Sequence, residues 1–369
     1  IGSVDAASAT GDRQLKIAGY DGSTTTTWIS GDNSGNLTFA GTVGSGAITS
    51  TSTVTAVGTS VFTNLDISGD VDIDGTTNLD AVDIDGNLDV NGGTIKLDGN
   101  YPTGTDNVAL GNQALEAVEA GGIQNTAVGN QSLENVTTGD NNIGVGHRTL
   151  CTLTTGSCNV AVGKDALRTN TASSNTAIGQ EALVANTTGC RNSSFGSLSL
   201  DANTEGDTNV AVGYQSLSAN TTADNNTAVG SFALLANTTG CRSVAIGAES
   251  LKANTTGVNN VASGFQSMLL NTEGSKNSAY GYSSLGSNTT GSCNTAIGCG
   301  SLGGNTTADH NTAIGFYTGA SLTSGSNNIY IGTHANASSG TSTNEIAIGQ
   351  GVTGAGSNTV SIGNTSITA

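Results

Sequence analysis

The chain has 369 residues, of which 54 are glycine, one is proline and only 10% are charged. An ordinary globular domain carries about 25% charged residues, so the composition is strongly biased. The apolar residues nevertheless recur at fixed intervals, which argues against intrinsic disorder. Lys and Arg number 10 against 28 Asp and Glu, a net charge of -18. Such a surface repels phosphate backbones, so nucleic-acid binding is not predicted.

The amino-terminal third is predicted to contain two β-rich segments. Residues 1–64 are expected to form a β-rich shaft or connector, and residues 65–100 an Asp/Gly-rich shaft. Nine Asp lie between Asp66 and Asp98, with Lys96 as the only base among them. Asp on the outward side of alternating "VDIDG" strands would discourage lateral association. Calcium binding is the alternative, but the spacing of calcium β-rolls is absent, so no metal site is predicted at Asp72, Asp74, Asp83 or Asp85.

Residues 101–369 repeat one pattern: Asn, any residue, a small residue, Val or Ile, Gly, two variable residues, Ala or Ser, Leu, and a polar turn. A short fixed period is typical of a solenoid, in which each repeat buries its apolar side by stacking on its neighbours. Runs such as "NVAVG" are short and β-branched, which favours strands. The sequence therefore predicts a parallel β-roll of about 17 residues per coil, with two short strands and two turns in each. The marker glycines are Gly111, Gly129, Gly146, Gly163, Gly179, Gly196, Gly213, Gly230, Gly247, Gly264, Gly281, Gly298, Gly315, Gly332, Gly349 and Gly363.

Two columns of residues run through this stack. The residue before each marker glycine is nearly always large and apolar, as at Val229 and Ile246, and with the leucines Leu234 and Leu251 it is predicted to form the core. The residue two before the glycine is small, as at Ala228. A column of small residues predicts close contact with a partner chain on the opposite side. Because one coil has so thin a core, an intersubunit interface is expected to add stability, and a homotrimer is predicted.

The strand motif "N-x-A-[VI]-G" with a following "[AS]-L" resembles the head repeat of trimeric autotransporter adhesins, the YadA-like left-handed parallel β-roll. The resemblance spans roughly residues 107–363. The adhesin repeat is shorter than the one found here, where only the last interval, Gly349 to Gly363, is 14 residues. The longer "ANTTG" turn accounts for the difference. The resemblance implies a trimeric rod.

Two further segments resemble parts of phage fibres. "LDISGDVDIDGTTNLDAVDIDGNLDVNGGTIKLDG", Leu65 to Gly99, is similar to Asp/Gly-rich segments of tail fibres from tailed phages, notably those of marine cyanobacteria. This similarity implies an intertwined trimeric β-shaft. "NTVSIGNTSITA", Asn358 to Ala369, resembles the run-in to a C-terminal chaperone that cleaves itself off after trimerisation. This resemblance implies that Ala369 lies near the end of the mature fibre. Since Ile1 is not followed by a signal-peptide pattern, a processed or internal piece of a longer polypeptide is expected.

Candidate catalytic groups were sought among paired carboxylates. Glu205 and Glu273 share a column but lie four coils apart, about 19 Å at the strand spacing, too far for a glycosidase pair. Asp207 and Asp224 are one coil apart, but turn Asp residues commonly serve local hydrogen bonding. No catalytic residue, cofactor or metal site is predicted, and the protein is not expected to be an enzyme.

Cysteine, histidine and sequon patterns also favour a structural interpretation. The six cysteines lack metal-type spacing and no two are 17 residues apart, so buried free thiols are expected. The repeated "NTT" sequons are interpreted as turns with Asn and Thr ladders. The cysteines are Cys151, Cys158, Cys190, Cys241, Cys293 and Cys299, the histidines are His147, His310 and His334, and the sequons begin at Asn186, Asn220, Asn237, Asn254, Asn288 and Asn305.

The resemblances to phage fibres imply a virion component. The resemblance implies a tail fibre, a rigid homotrimeric rod that presents or mediates adhesion to a host receptor, with other tail proteins and a host cell-surface glycan as partners. No run of about 18 apolar residues exists, so membrane insertion is not predicted. The alternative is a bacterial surface adhesin of the trimeric autotransporter type. A polysaccharide depolymerase spike is a third hypothesis.

Overall fold

The computed structural model describes residues 16–20, 25–31, 37–39, 106–119 and 121–364. The chain divides into two units, Ile1–Leu88 and Asp89–Ala369. In the first unit, three strands form an antiparallel sheet in the order β1-β2-β3. The Asp/Gly-rich shaft predicted for residues 65–100 lies outside the described residues. The strands are β1 (Lys16–Tyr20), β2 (Thr25–Gly31) and β3 (Leu37–Phe39).

The second unit is a β-solenoid, which confirms the predicted fold class. Sixteen strands of three residues each form a single parallel sheet in chain order, and the described residues contain no helix. Fifteen steps of about 4.8 Å between neighbouring strands give a stack about 70 Å long. The strands are β4 (Val108–Leu110), β5 (Thr126–Val128), β6 (Ile143–Val145), β7 (Val160–Val162), β8 (Thr176–Ile178), β9 (Ser193–Phe195), β10 (Val210–Val212), β11 (Thr227–Val229), β12 (Val244–Ile246), β13 (Val261–Ser263), β14 (Ser278–Tyr280), β15 (Thr295–Ile297), β16 (Thr312–Ile314), β17 (Ile329–Ile331), β18 (Ile346–Ile348) and β19 (Val360–Ile362).

Each coil has one strand, so the prediction of two strands per coil was wrong. The rest of the coil consists of turns that still bond to the next coil. For example, the Leu234 amide donates to Ser250 O at 3.0 Å and the Thr238 amide to Thr255 O at 3.0 Å. Left-handed backbone at Phe232 (φ 61°) and Leu234 (φ 51°) bends the chain too sharply for a second strand. The hydrogen-bond ladder therefore surrounds the coil, while regular strand geometry is confined to three residues.

The marker glycines are required by both conformation and space. Gly230 has a φ of +137°, and a Cβ atom placed on it would lie 2.5 Å from the carbonyl carbon of Gly247 in the next coil. An L-residue is disfavoured at this φ, and neighbouring coils approach too closely to admit a methyl group. Glycine therefore recurs once per coil because successive coils stack this closely at that position.

The core is made by the small column and the leucines, which confirms the predicted leucine column and corrects the assignment of the large residue before the marker glycine. Ala228 and Ala245 are fully buried and, with Leu234 and Leu251, belong to one continuous core. The large residue before the marker glycine points outward instead, and Ile246 is 46% exposed. Successive strand residues face opposite sides, and the leucine lies beneath the strand, so only a small side chain fits at the strand centre.

One coil shows this size constraint by exchanging its two core residues. Gly319 stands where other coils carry the core leucine, and Tyr330 stands at the centre of β17 where other strands have alanine. Tyr330 is fully buried, and a Cβ atom on Gly319 would lie 3.0 Å from its ring. A large and a small residue have changed places, and the total core volume is kept.

Buried asparagines satisfy the polar backbone inside the coils. One set, the entry column, precedes the strands: the Asn226 amide donates to Asn209 Oδ1 at 3.0 Å, and Asn226 Nδ2 donates to Gly240 O at 2.9 Å. Because each member bonds to its counterpart one coil away, the pattern propagates along the stack. The members are Asn107, Asn125, Asn142, Asn159, Asn175, Asn192, Asn209, Asn226, Asn260, Asn277, Asn294, Asn311 and Asn328, with Ser243, Glu345 and Thr359 in the remaining positions.

A second set, the corner column, contains the first residue of each "NTT" turn. Asn237 Nδ2 donates to Asn220 Oδ1 at 3.0 Å and to Gly240 O at 3.0 Å. The predicted asparagine ladder is thus confirmed. The Thr238 hydroxyl donates to the Thr255 carbonyl at 3.1 Å rather than to another hydroxyl. The corner column consists of Asn170, Asn186, Asn203, Asn220, Asn237, Asn254, Asn271, Asn288 and Asn305, all fully buried.

The corner column ends where leucine replaces asparagine. Leu322 is the next residue in the stack and is fully buried. The Oδ1 atom of Asn305 accordingly has no hydrogen-bond donor. Every earlier Oδ1 atom in the column accepts from the next Nδ2, as Asn288 does from Asn305 at 2.8 Å. The ladder therefore carries one unsatisfied acceptor at its end.

We predict that position within this ladder decides the cost of breaking it. Asn237→Leu leaves the Asn220 oxygen and one Asn254 N–H unpaired, so we expect a loss of about 2 to 4 kcal/mol in the free energy of unfolding. Asn305→Leu removes one unsatisfied oxygen and creates another on Asn288, so we expect a change within about 1 kcal/mol. Chemical denaturation of both variants measures the difference. Equal losses would contradict the ladder as a cooperative element.

Candidate functional site

The outward side of the parallel sheet is the feature of the solenoid that most resembles an interaction surface. We call it the outer face. It consists of the first and third residues of strands β4–β19, whose side chains point away from the core. The third residues include Val212 (37% exposed), Ile246 (46%) and Ile314 (39%). Within this column Ser263 is the one residue that is neither aliphatic nor aromatic.

The outer face is continuous because the strands are in register. Val212 pairs with Val229, which pairs with Ile246, and the same pairing holds through the sheet. Half-exposed apolar side chains therefore follow one another at about 4.8 Å. Contiguous apolar patches of more than a few hundred Å² mark interaction sites. The small column was predicted to meet a partner chain, but it is buried within the core of its own chain.

The carboxylates considered for catalysis serve the backbone instead. Asp224 Oδ1 accepts from the Asp207 amide at 2.7 Å, and Asp207 Oδ1 accepts from the Cys190 amide at 2.7 Å. This matches the local hydrogen bonding predicted for turn Asp. Glu205 and Glu273 are exposed in separate coils. The structure therefore assembles no acid–base pair from these four residues.

The cysteines are free, but the expectation that they are buried was wrong. Cys158 and Cys293 are exposed and the other four are half-buried. Burial, with the Glu134 carboxylate beside it, raises the pKa of the Cys151 thiol to about 11. The Cys151 thiol donates to Glu134 Oε2 at 3.2 Å. It therefore stays protonated near neutral pH and is a poor nucleophile.

The part of the chain that the structure describes contains no cluster of three or more potential metal ligands. His147, His310 and His334 occupy different coils. Among the described residues there is no helix that is long and apolar enough to cross a membrane. The calcium alternative raised for Asp72, Asp74, Asp83 and Asp85 lies outside the described residues. No protein-family model, curated protein or solved structure matches this chain.

Glu345 is a buried acid that the sequence reasoning missed. It stands in the entry column where most coils have asparagine, which was the available signal. Its Oε2 accepts from the Tyr330 hydroxyl at 3.0 Å and the Ser338 amide at 3.2 Å, and Oε1 accepts from the Gly356 amide at 2.8 Å. Burial alone would raise the pKa of Glu345, but these donors hold it below its ordinary value of 4.5. The carboxylate thus fixes the irregular loop near the last coils.

We predict an acid-sensitive contribution from Glu345. Because its folded-state pKa is depressed, its stabilisation is complete above pH 4.5 and is lost as the pH falls through the folded pKa. Glu345→Gln turns an amide toward existing donors and is expected to cost about 1 to 3 kcal/mol at pH 7. Thermal unfolding of the wild type and the variant between pH 7 and pH 3 should show that the difference in their stability becomes smaller in acid. A difference independent of pH would contradict the assignment.

We predict that Asp224 contributes to stability through one accepted hydrogen bond. Asp224→Ala leaves the Asp207 amide without its acceptor and is expected to cost about 1 kcal/mol. Asp224→Ser should retain most of that stability, since Ser275 accepts from the Val258 amide at 3.0 Å in the same column. Denaturation midpoints of the two variants test this. Equal midpoints would contradict the hydrogen-bonding role.

Proposed function

We propose that this chain is a structural fibre, a rigid homotrimeric rod of a phage particle that presents or mediates adhesion to a host receptor. The observation that carries the proposal is the outer face, whose third-position column is apolar in every one of the sixteen strands except at Ser263. An exposed apolar surface of this extent is typical of an interaction site, and we expect its partner to cover the same length of the solenoid. A parallel copy of the same solenoid has the matching length and period.

The composition of the outer face favours a closed ring over a two-fold pair. Its third-position column is almost wholly apolar, whereas its first-position column mixes polar residues such as Thr227 with aliphatic residues such as Val244. Two unlike columns suit a heterologous contact, in which one column packs against the other column of a neighbour. Heterologous contacts that close produce cyclic oligomers. Three chains form the smallest such ring, in agreement with the predicted trimer.

The proposed task is mechanical reach combined with multivalent binding. In-register hydrogen bonds around the whole coil stiffen a stack about 70 Å long. Three copies of any weak receptor contact would act together, which raises avidity without a strong single site. The partners in this proposal are other tail proteins and a host cell-surface glycan. The engaged carboxylates support binding over polysaccharide cleavage.

We predict that charge on the outer face dissociates the oligomer. Ile246→Glu places a carboxylate in the apolar column and should convert a trimer to monomers. Thr239→Glu is the matched control, because Glu205 and Glu273 occupy its column in other coils. Light scattering coupled to size-exclusion chromatography measures the mass of each. A monomeric wild-type protein, or an Ile246→Glu trimer, would refute the outer face as the interface.

A further inference from the structure

A groove lies on the surface of the solenoid where two successive coils have glycine in place of larger residues. The coil that begins at Gly298 carries Gly300, Gly303 and Gly304, and Gly286 stands at the position equivalent to Gly303 in the coil before it, where most other coils have larger residues. Two coils earlier, Leu269 occupies the position equivalent to Gly303. The missing side chains leave an open depression of about 480 Å³ on the surface. We call it the aromatic groove, because Tyr282 and Tyr317 line it.

The two tyrosine rings are held in place by other aromatic rings. Tyr282 stacks on Phe265, with centroids 5.9 Å apart and planes at 21°. Tyr317 packs edge-to-face on Phe316 at 4.7 Å and parallel to His334 at 6.1 Å. Packed rings of this kind cost little conformational entropy when a ligand binds. The groove thus has ordered walls before any ligand enters.

Both rings remain accessible. Tyr282 is 51% exposed and Tyr317 is 42% exposed. Neither phenol hydroxyl forms a hydrogen bond within the described residues, so each presents an apolar ring with a polar tip. Ser283 and Ser287 add hydroxyl groups to the lining, and none of the lining residues is charged. On a chain of net charge -18, this neutral groove matches an uncharged ligand with apolar faces and a hydroxyl rim.

We propose that the aromatic groove binds a neutral hexopyranose unit of a surface polysaccharide. The C–H face of the sugar would pack on a tyrosine ring, while its hydroxyls meet the phenol and serine hydroxyls. Tyr282 and Tyr317 lie two coils apart in neighbouring columns, about 10 Å apart along the stack at the strand spacing, so we expect one chain of sugar residues to span both. This inference rests on the proposed adhesion function and assigns it a location.

The test uses titration calorimetry to compare the wild-type protein with four variants. The ligands are neutral tetrasaccharides of glucose, galactose and mannose. Tyr282→Ala and Tyr317→Ala should each weaken binding about tenfold. Gly303→Leu should abolish it by filling the groove, and it restores a residue type found at that position in other coils. Its Cβ would lie 3.1 Å from the Gly300 oxygen, a contact that a small shift relieves. Tyr214→Ala, an exposed tyrosine outside the groove, should bind as the wild type does.

The remaining outcomes overturn the proposal. Absence of saturable binding to all three tetrasaccharides does so, as does tighter binding of tetragalacturonate, an anionic probe. A change of oligomeric mass in Tyr282→Ala or Tyr317→Ala would place the groove in an interface and also refute the proposal. Light scattering on the same samples shows whether the groove proposal alone has failed or the proposed trimeric fibre has failed as well. A wild-type trimer that binds no sugar refutes the groove alone, and a monomer refutes the fibre.

Discussion

The structure depends on hydrogen bonds between identical side chains in successive coils. In-register stacking places each residue above its counterpart at about 4.8 Å, so a buried polar side chain must pair with a copy of itself. Asparagine suits this arrangement because it carries both a donor and an acceptor. Asn237 gives one N–H to Asn220 and the other to its own turn at Gly240. Each added coil therefore satisfies the end of the previous one.

This arrangement limits the volume of the core. In most coils asparagines fill two corners and a leucine fills the centre, so most strands contribute only an alanine to the interior. The larger apolar residues of the strand then face outward. One packing constraint thus accounts for both the thin core and the apolar outer face, and links the fold of a single chain to its proposed assembly.

Departures from the repeat identify the places with individual roles. Glu345 replaces the entry asparagine and joins Tyr330 to the loop at Gly356. Glycines at 300, 303 and 304 open the aromatic groove between two tyrosines. The repeat supplies length and stiffness, whereas ligand chemistry requires interruptions. A solenoid can acquire such a feature at one coil without disturbing coils farther along, since each coil contacts only its neighbours.

The solenoid, its period and its approximate number of coils were predictable from the residue pattern, because glycine and asparagine recur wherever the backbone must turn or approach closely. The pattern also indicated the asparagine ladder at Asn237 and the structural role of Asp224. Only the tertiary structure decided which apolar column is interior. Ala228 and Val229 are consecutive residues of one strand, so their side chains lie on opposite faces of the sheet. The alternation alone does not show which of the two faces is buried. The space beneath the strand, already filled by Leu234, admits alanine and turns valine outward.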